Sequence, residues 1–481
     1  MRDDVLCYAV KGIHVIMREN ICDSGGEIMN QEWTLHVERI GKITKADIRI
    51  APLIFFIGDN NSGKSHMMTI LWGLLFLGKN LFPARPSDSR AYKRCEDWLR
   101  EHVDKESMLD DAVVALYLDW FNELLSQRKK DFLHHLFNHV MESGKMEVRD
   151  YRQKKPLKLH FREGKRYAFR AGRDISFPQS ETYTREELLR MNTYICWNLL
   201  MGDIAAPLYT PVMRGRRNGE PVYLPASRTG FMLTYKQLLE QSIQANFSQT
   251  AVDDRGALTL PYVDFLQLIT KFESHRTNAL ADHLMPFLET YMTDCSFKIK
   301  RMILPDFQYT PKNVTTDMPL YITSSVITEL APLALLLQSG INFKTIIIEE
   351  PEAHLHPALQ KRMAQFIVRL VNNKKSVWVT THSDTVLQHV NNMLKLAKRP
   401  PAERKQLMER FDYEAVDLLQ DRQVRMYQFS RESKELRDPV DQGKTVVQEL
   451  KPQKYGFEVP SFNDALERIL DEVYAFQGED D

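Results

Sequence analysis

The sequence is poor in several features that would place a protein in a class. Cysteine is scarce: Cys7, Cys22, Cys95, Cys196 and Cys295 are scattered, odd in number and form no Cys-x-x-Cys pair. That spacing excludes a disulfide framework or a thiolate zinc site and suits reduced, partly buried thiols in a cytosolic protein. Net charge is missing too, with 64 Lys and Arg against 64 Asp and Glu. Bulk attraction to nucleic acid or to a membrane surface is therefore not expected, although a local patch can still provide either. No apolar run is long enough to span a bilayer. The opening MRDDVLCYAV has no apolar signal region, so a cytoplasmic protein without membrane attachment is the expectation. There is no internal repeat and no low-complexity tract. What remains is 481 residues, 43% apolar and 10% aromatic, enough for about three average domains or one large domain carrying an insertion.

Three stretches differ in texture. Residues 33–80 read as two short strands, a continuous apolar run (Ala51-Pro-Leu-Ile-Phe-Phe-Ile-Gly58), a loop and an apolar helix. A run of that kind marks a strand buried on both faces. Residues 341–400 have the same texture, with a buried strand in FKTIIIEE, an amphipathic helix from Pro357 and a third buried strand in SVWVTTHS. In the helix, Leu359, Met363, Phe366, Ile367 and Leu370 share one stripe, and Pro357 suits the first helical position. Strand–helix–strand with short links implies a parallel sheet flanked by helices. The stretch between, 81–319, reads as a mainly helical insertion, with helical segments at 90–103, 108–127, 130–141, 184–201, 233–245 and 276–293. The tail from 423 suggests a hairpin-like strand pair and then a helix from Ser461 to about Phe476. The expected organisation is an N-terminal core part (1–80), an insertion (81–319) and a C-terminal core part (320–481).

The strongest motif is Gly58-Asp59-Asn60-Asn61-Ser62-Gly63-Lys64-Ser65. Small residues let successive N–H groups turn inward as an anion nest, and the next helix adds its positive end. Lys64 is then placed for the β- and γ-phosphates of a nucleotide such as ATP, and the Ser65 hydroxyl for Mg2+. Glu349 and Glu350 stand where a buried strand leaves the sheet, the usual place for ligands in open α/β sheets. One acid can belong to the magnesium shell while its neighbour orients or deprotonates the attacking water. His382, after the next buried strand, would emerge at the same edge and can report on a γ-phosphate.

Taken together, GDNNSGKS, IIIEEPEAHLHP and TTHS resemble the ABC-type P-loop ATPases of the OLD, SMC and Rad50 kind, over 33–80, 320–390 and the tail. The resemblance implies an α/β core, a mostly parallel sheet with flanking helices, split by the insertion. It makes Lys64 and Ser65 phosphate and magnesium residues, Glu350 the catalytic base and His382 the switch histidine. Glu349 stands where many relatives carry aspartate, a departure that bears on magnesium geometry. Leu355-His356-Pro357 would lie in a loop facing a second subunit. The candidate signature helix, Tyr321 to Leu330, lacks the LSGGQ glycines, and Ser324 or Ser325 can cap it and present N–H groups to a neighbour's γ-phosphate. A homo-oligomer follows, a dimer or higher. Val222 to Arg228 also resembles a segment of these ATPases, with Arg228 either near the nucleotide or a surface arginine ending a strand.

The subgroup whose acidic motif reads EEPEAHLHP resembles stand-alone ATPases of bacterial anti-phage systems such as PARIS and Septu. By that analogy the chain controls a separate effector, a nuclease or a toxin. A DNA-repair or chromosome-handling ATPase that clamps DNA is the alternative, though the long heptad arms are missing. A nucleotide-locked scaffold with very slow turnover is another, while a transporter motor is disfavoured by the absent LSGGQ. No Asp-x-Asp follows His382, so no nuclease centre of the Toprim type is expected in this chain. Between Lys145 and Arg173 eleven Lys and Arg outnumber three acids, interleaved with Leu157, Leu159, Phe161, Tyr167 and Phe169. A two-stranded basic ribbon turning at Glu163-Gly164-Lys165 is expected there, a surface for a phage-derived or nucleic-acid trigger or simply a solvated hairpin. Arg214 to Arg217 is a weaker basic loop. His135 and His139 lack a third metal ligand, and His354 and His356 belong to the ATPase motif.

Overall fold

The protein is described by a computed structural model covering residues 29, 31–164, 166–208, 212–213, 216–247, 258–274, 279–431, 444–454 and 456–477. Cys7, Cys22, Arg214 and Lys165 lie outside the described residues, while Cys95, Cys196 and Cys295 are buried free thiols.

Nine strands make the central sheet: β1 (Gln31–Ile40), β2 (Ile43–Arg49), β3 (Leu53–Gly58), β4 (Met146–Gln153), β5 (Val222–Leu224), β6 (Thr345–Glu349), β7 (Ser376–Thr381), β8 (Val424–Arg431) and β9 (Thr445–Leu450). Their order is β5-β6-β7-β3-β8-β9-β2-β1-β4. The strands β5, β6, β7, β3 and β8 run parallel. β8 and β9 are the antiparallel pair expected for the tail, and β9 joins β2 in parallel. The antiparallel β1–β2 pair and β4 finish the sheet.

The central strands read as uninterrupted apolar runs because both faces are covered. From β3, Ile54 and Phe56 enter one core while Leu53, Phe55 and Ile57 enter the other, the period of two that a strand imposes. The first core is closed by α1 (Lys64–Leu77), α2 (Arg90–His102), α3 (Asp111–Phe137) and α4 (Arg185–Leu200). The second is closed by α5 (Arg228–Phe247), α6 (Leu260–Ile269), α7 (Ala279–Leu288), α8 (Ser325–Gln338), α9 (Pro357–Asn372) and α10 (Asp384–Lys398). Two further helices, α11 (Pro401–Phe411) and α12 (Pro460–Gln477), follow. Among the described residues no helix is long and apolar enough to cross a membrane.

Local chemistry starts and stops these helices where the site needs it. His356 caps α9 by accepting the Ala358 N–H at 3.3 Å, and Pro357 occupies its first turn. Ser383 caps α10 by accepting the Val386 N–H at 3.1 Å. The two expected segments 108–127 and 130–141 are one helix, α3, ended by Asn138 in a left-handed conformation.

The stretch 81–319 is interwoven with the core. It supplies β4 and β5 to the central sheet, since each buries an apolar face that the sheet edge would otherwise expose. Among the described residues the expected two-stranded basic ribbon is not formed. β4 pairs with β1, while Lys158–Arg162 pairs in parallel with Asp174–Pro178 in a separate four-stranded sheet. Leu157 and Leu159, apolar residues within the basic run, are buried and hold that second arrangement in place.

Candidate active site

Parallel strands bring their carboxyl ends to one edge, and the register decides which residues meet there. Thr381 pairs with Ile57, Phe429 with Gly58, Glu349 with Thr380, and Leu224 with Ile348. Gly58–Ser65, Glu349–Glu350 and Thr381–His382, over three hundred positions apart in part, therefore share one edge.

The phosphate loop is shaped by three residues with positive φ: Gly58 at 135°, Asn61 at 61° and Gly63 at 91°. A Cβ on Gly58 would stand 2.1 Å from the Phe429 carbonyl oxygen, so the close approach of β8 requires glycine there. Asp59, Asn60 and Asn61 are exposed, Ser62 is buried, and Ser65 is exposed at the start of α1. Lys64 is buried and turns back into the loop, donating to the Gly58 carbonyl at 2.9 Å, the Asp59 carbonyl at 2.6 Å and Ser62 Oγ at 3.4 Å. Burial pulls its pKa down to about 8, against the attraction of Glu350, Asp59, Glu352 and Glu349.

The two adjacent acids diverge because the backbone changes hand between them. Glu349 is the last residue of β6 and only 4% exposed. Its Oε2 accepts the Ala226 N–H at 3.2 Å, while its buried Oε1 has no hydrogen-bond partner among the described residues. Glu350 sits in the left-handed region at φ 44°, its N–H bonded to the Thr380 carbonyl at 2.8 Å. For a non-glycine residue that conformation is costly and is often kept at functional sites. It turns the carboxylate outward, and His382 Nε2 lies 3.8 Å from Glu350 Oε1. His382 is half-buried, and burial, helped by Lys64, lowers its pKa.

Glu352 and Glu329, to which no motif gave a role, and Arg228, for which a place near the nucleotide was one of two expectations, complete this edge. Glu352 accepts hydrogen bonds from Thr381 Oγ1 at 2.8 Å and from the His382 N–H at 2.7 Å, fixing the backbone under the histidine. Burial raises its pKa. Arg228 is not a surface residue ending a strand: it opens α5 and is 1% exposed. Its guanidinium donates to the carbonyls of Glu349 at 2.6 Å, Glu350 at 3.1 Å and Pro225 at 3.1 Å, and forms a buried ion pair with Glu329 of α8. Thr229 Oγ1 donates to the other Glu329 oxygen. The third acid of Glu-Glu-Pro-Glu was a readable signal for Glu352. For the Arg228–Glu329 pair, 101 positions apart, the sequence holds no comparable signal.

The remaining candidates divide. Ser324 is the N-cap residue of α8 but makes no side-chain cap hydrogen bond, and Ser324 and Ser325 are both exposed beside exposed Tyr321 and Ile322. Leu355 is buried, and His356 serves α9 as its cap. Arg216 of the weaker basic loop is buried and paired with Asp264 at 2.8 Å, so it belongs to the core and not to a phosphate surface. His135 is exposed and bonded to the Asp131 carbonyl of its own helix. Among the described residues no cluster of three His, Cys, Asp or Glu could hold a metal. A magnesium shell built from one hydroxyl, one acid and substrate phosphates needs no such cluster. The orphaned Glu349 Oε1 and the exposed Ser65 hydroxyl fit that donor set.

No curated protein matches the chain. Solved structures with a related arrangement include an SMC head bound to the C-winged helix domain of ScpA, at 12% identity and a TM-score of 0.35 over 87% of this chain and 97% of that one. An Smc head with an extended coiled coil, bound to the C-terminal domain of ScpA derived from Pyrococcus furiosus, gives 12%, 0.36, 92% and 100%. The SMC head from Thermotoga maritima gives 10%, 0.33, 87% and 99%. Values this low transfer no function. The AAA ATPase domain model matches residues 234–387, a span that contains α8, the acidic strand end and His382. With the phosphate loop on the neighbouring strand of the same sheet, the chain carries an α/β P-loop ATPase core.

Proposed function

We propose that the chain hydrolyses ATP at this edge and uses the nucleotide to control a separate effector protein. The observation that carries the hydrolytic reading is the meeting of three motifs: the loop holding Lys64, the outward-turned Glu350, and His382 with its Nε2 3.8 Å from that carboxylate. Lys64 and the loop N–H groups bind and orient the phosphates. Glu350 is exposed enough to reach a water and accept its proton, while Glu349 stays buried and keeps one oxygen for a cation. Ser65 and Glu349 would hold Mg2+, which supplies charge neutralisation across the β- and γ-phosphates when bound. His382, anchored through its backbone N–H on Glu352, donates to or withdraws from a phosphate oxygen according to its position.

The exposed head of α8 supports an oligomeric reading in which Ser324 and Ser325 face another copy's nucleotide. Control of a nuclease or toxin in bacterial anti-phage defence, in the cytoplasm, rests on the likeness of the three motifs to stand-alone ATPases of such systems. The basic excess in 145–173 is offered as the surface for a trigger. Lys64→Ala should abolish ATP binding and turnover, whereas Glu350→Gln should keep binding and lower turnover by at least about a hundredfold, the usual scale of losing a general base. Equal loss of binding in both variants would show that Glu350 has been given the wrong role. Full binding with negligible turnover in the unmodified protein would point instead to a nucleotide-locked scaffold.

A further inference from the structure

We propose that the C-terminal helix α12 docks into a basic-rimmed apolar groove on a second copy of this chain. From Glu467 to Phe476 every side chain of α12 is exposed. Ile469, Leu470, Val473 and Tyr474, at 56%, 43%, 42% and 70% exposure, recur at the spacing of one helical stripe. A contiguous apolar stripe of this kind on an exposed helix face marks a contact surface.

The charge on the same helix selects what covers the stripe. Glu467, Asp471 and Glu472 flank it, and within Pro460–Gln477 four acids stand against one arginine. Two such helices packed side by side would bring like charges together, which disfavours pairing of α12 with itself. The acceptor must be apolar within and cationic at its rim.

This chain contains such a surface. A 290 Å³ cavity between the strand Asp174–Pro178 and α4 is lined by Tyr167, Phe177, Tyr183 and Met191, with exposed Arg166 and Arg190 at its rim. Among the described lining residues the one acid, Glu187, is engaged in capping α4, accepting the Thr184 N–H at 2.8 Å and Oγ1 at 3.0 Å, and Asp104 just outside the lining accepts the Tyr183 hydroxyl at 3.2 Å. Arg166 and Tyr167 belong to the stretch 145–173, where cations outnumber acids eleven to three within a chain of net charge zero. The acidic helix and the basic groove are thus complementary surfaces on one sequence. Reciprocal exchange of α12 would close a dimer, and head-to-tail docking would close a ring. The groove shares no residue with the nucleotide edge, so this inference stands or falls independently of the ATPase reading.

The test is association of the full chain, measured by light scattering and sedimentation across a concentration series. Arg166→Glu with Arg190→Glu, and separately Glu467→Lys with Asp471→Lys and Glu472→Lys, should each raise the dissociation constant by at least about tenfold, the scale of losing facing charges at an interface. Combining both sets in one chain reverses both signs and should restore association to near the starting value. All five positions are exposed, and unchanged melting curves would exclude misfolding as the cause. A monomeric parent protein, association unaffected by either set, or no recovery in the combined variant would overturn the proposal. The last two outcomes would assign the helix to its own chain's surface or to a different protein.

Discussion

Arg228 offers the most direct test of how the acidic edge is held. It is 1% exposed, its partner Glu329 is equally buried, and its remaining hydrogen bonds go to the carbonyls of Pro225, Glu329, Glu349 and Glu350. Replacing it by Met preserves much of the packing volume but leaves a buried carboxylate without its cation. Breaking one partner of a buried pair typically costs about 3–5 kcal/mol. Each carbonyl that loses a charged donor adds about 1 kcal/mol or more, incompletely additive because the groups are neighbours. A loss of about 4–6 kcal/mol is therefore expected for Arg228→Met, a large share of the margin by which a domain is stable. Arg228→Lys should fall between, since a lysine keeps the charge but cannot fork to several carbonyls. Urea denaturation of the parent, Arg228→Met, Glu329→Gln and the double variant gives the coupling directly. It should be on the order of 2 kcal/mol, the double variant being less damaged than the sum. A loss below about 1 kcal/mol in Arg228→Met, or strict additivity with Glu329→Gln, would refute the assigned role.

Two further outcomes follow from the phosphate loop. Burial lowers the Lys64 pKa from 10.5 to about 8. Between those values the unfolded chain holds a proton that the folded chain has released, so Lys64 makes folding more favourable as pH rises through that window. Phosphate binding needs the charged form, so affinity for a fluorescent ATP analogue should fall as pH rises above about 8; a flat curve up to about pH 10 would contradict it. The second concerns Gly58, where a methyl would meet the Phe429 carbonyl oxygen at 2.1 Å at a φ of 135°. Gly58→Ala should cost about 3 kcal/mol or more in thermal or urea unfolding, against about 1 kcal/mol for Gly164→Ala, which has positive φ but open space around it. Similar losses for both would mean that the β3–β8 contact is not what requires glycine.

The continuous apolar runs ending in Gly58, Glu349 and Thr381 were legible as strands because a strand covered on both faces leaves no polar alternation. The phosphate loop was legible because its chemistry is local: small residues, a lysine and a hydroxyl within eight positions. The helix at Pro357 and the tail pair β8–β9 followed from periodicity and turn residues. Where the basic stretch 145–173 was concerned, charge alternation suggested a ribbon, but the burial of Leu157 and Leu159 decided the pairing. Burial depends on neighbours in the first core that are distant in sequence and that local pattern cannot supply.

By itself, the sequence determined the local instruments of this protein: the anion nest, the acids at a strand end, a histidine after the next strand and a helix in the tail. Only the tertiary structure decided how they are used. It placed Glu349 inward and Glu350 outward through a left-handed backbone at φ 44°. It set Glu352 beneath His382, and it bound α8 to the acidic edge through the Arg228–Glu329 pair. Those contacts join residues up to about a hundred positions apart, and their strength comes from exclusion of water at the junction of three elements. Desolvation of that kind is a property of the packed chain and has no signature in any one segment.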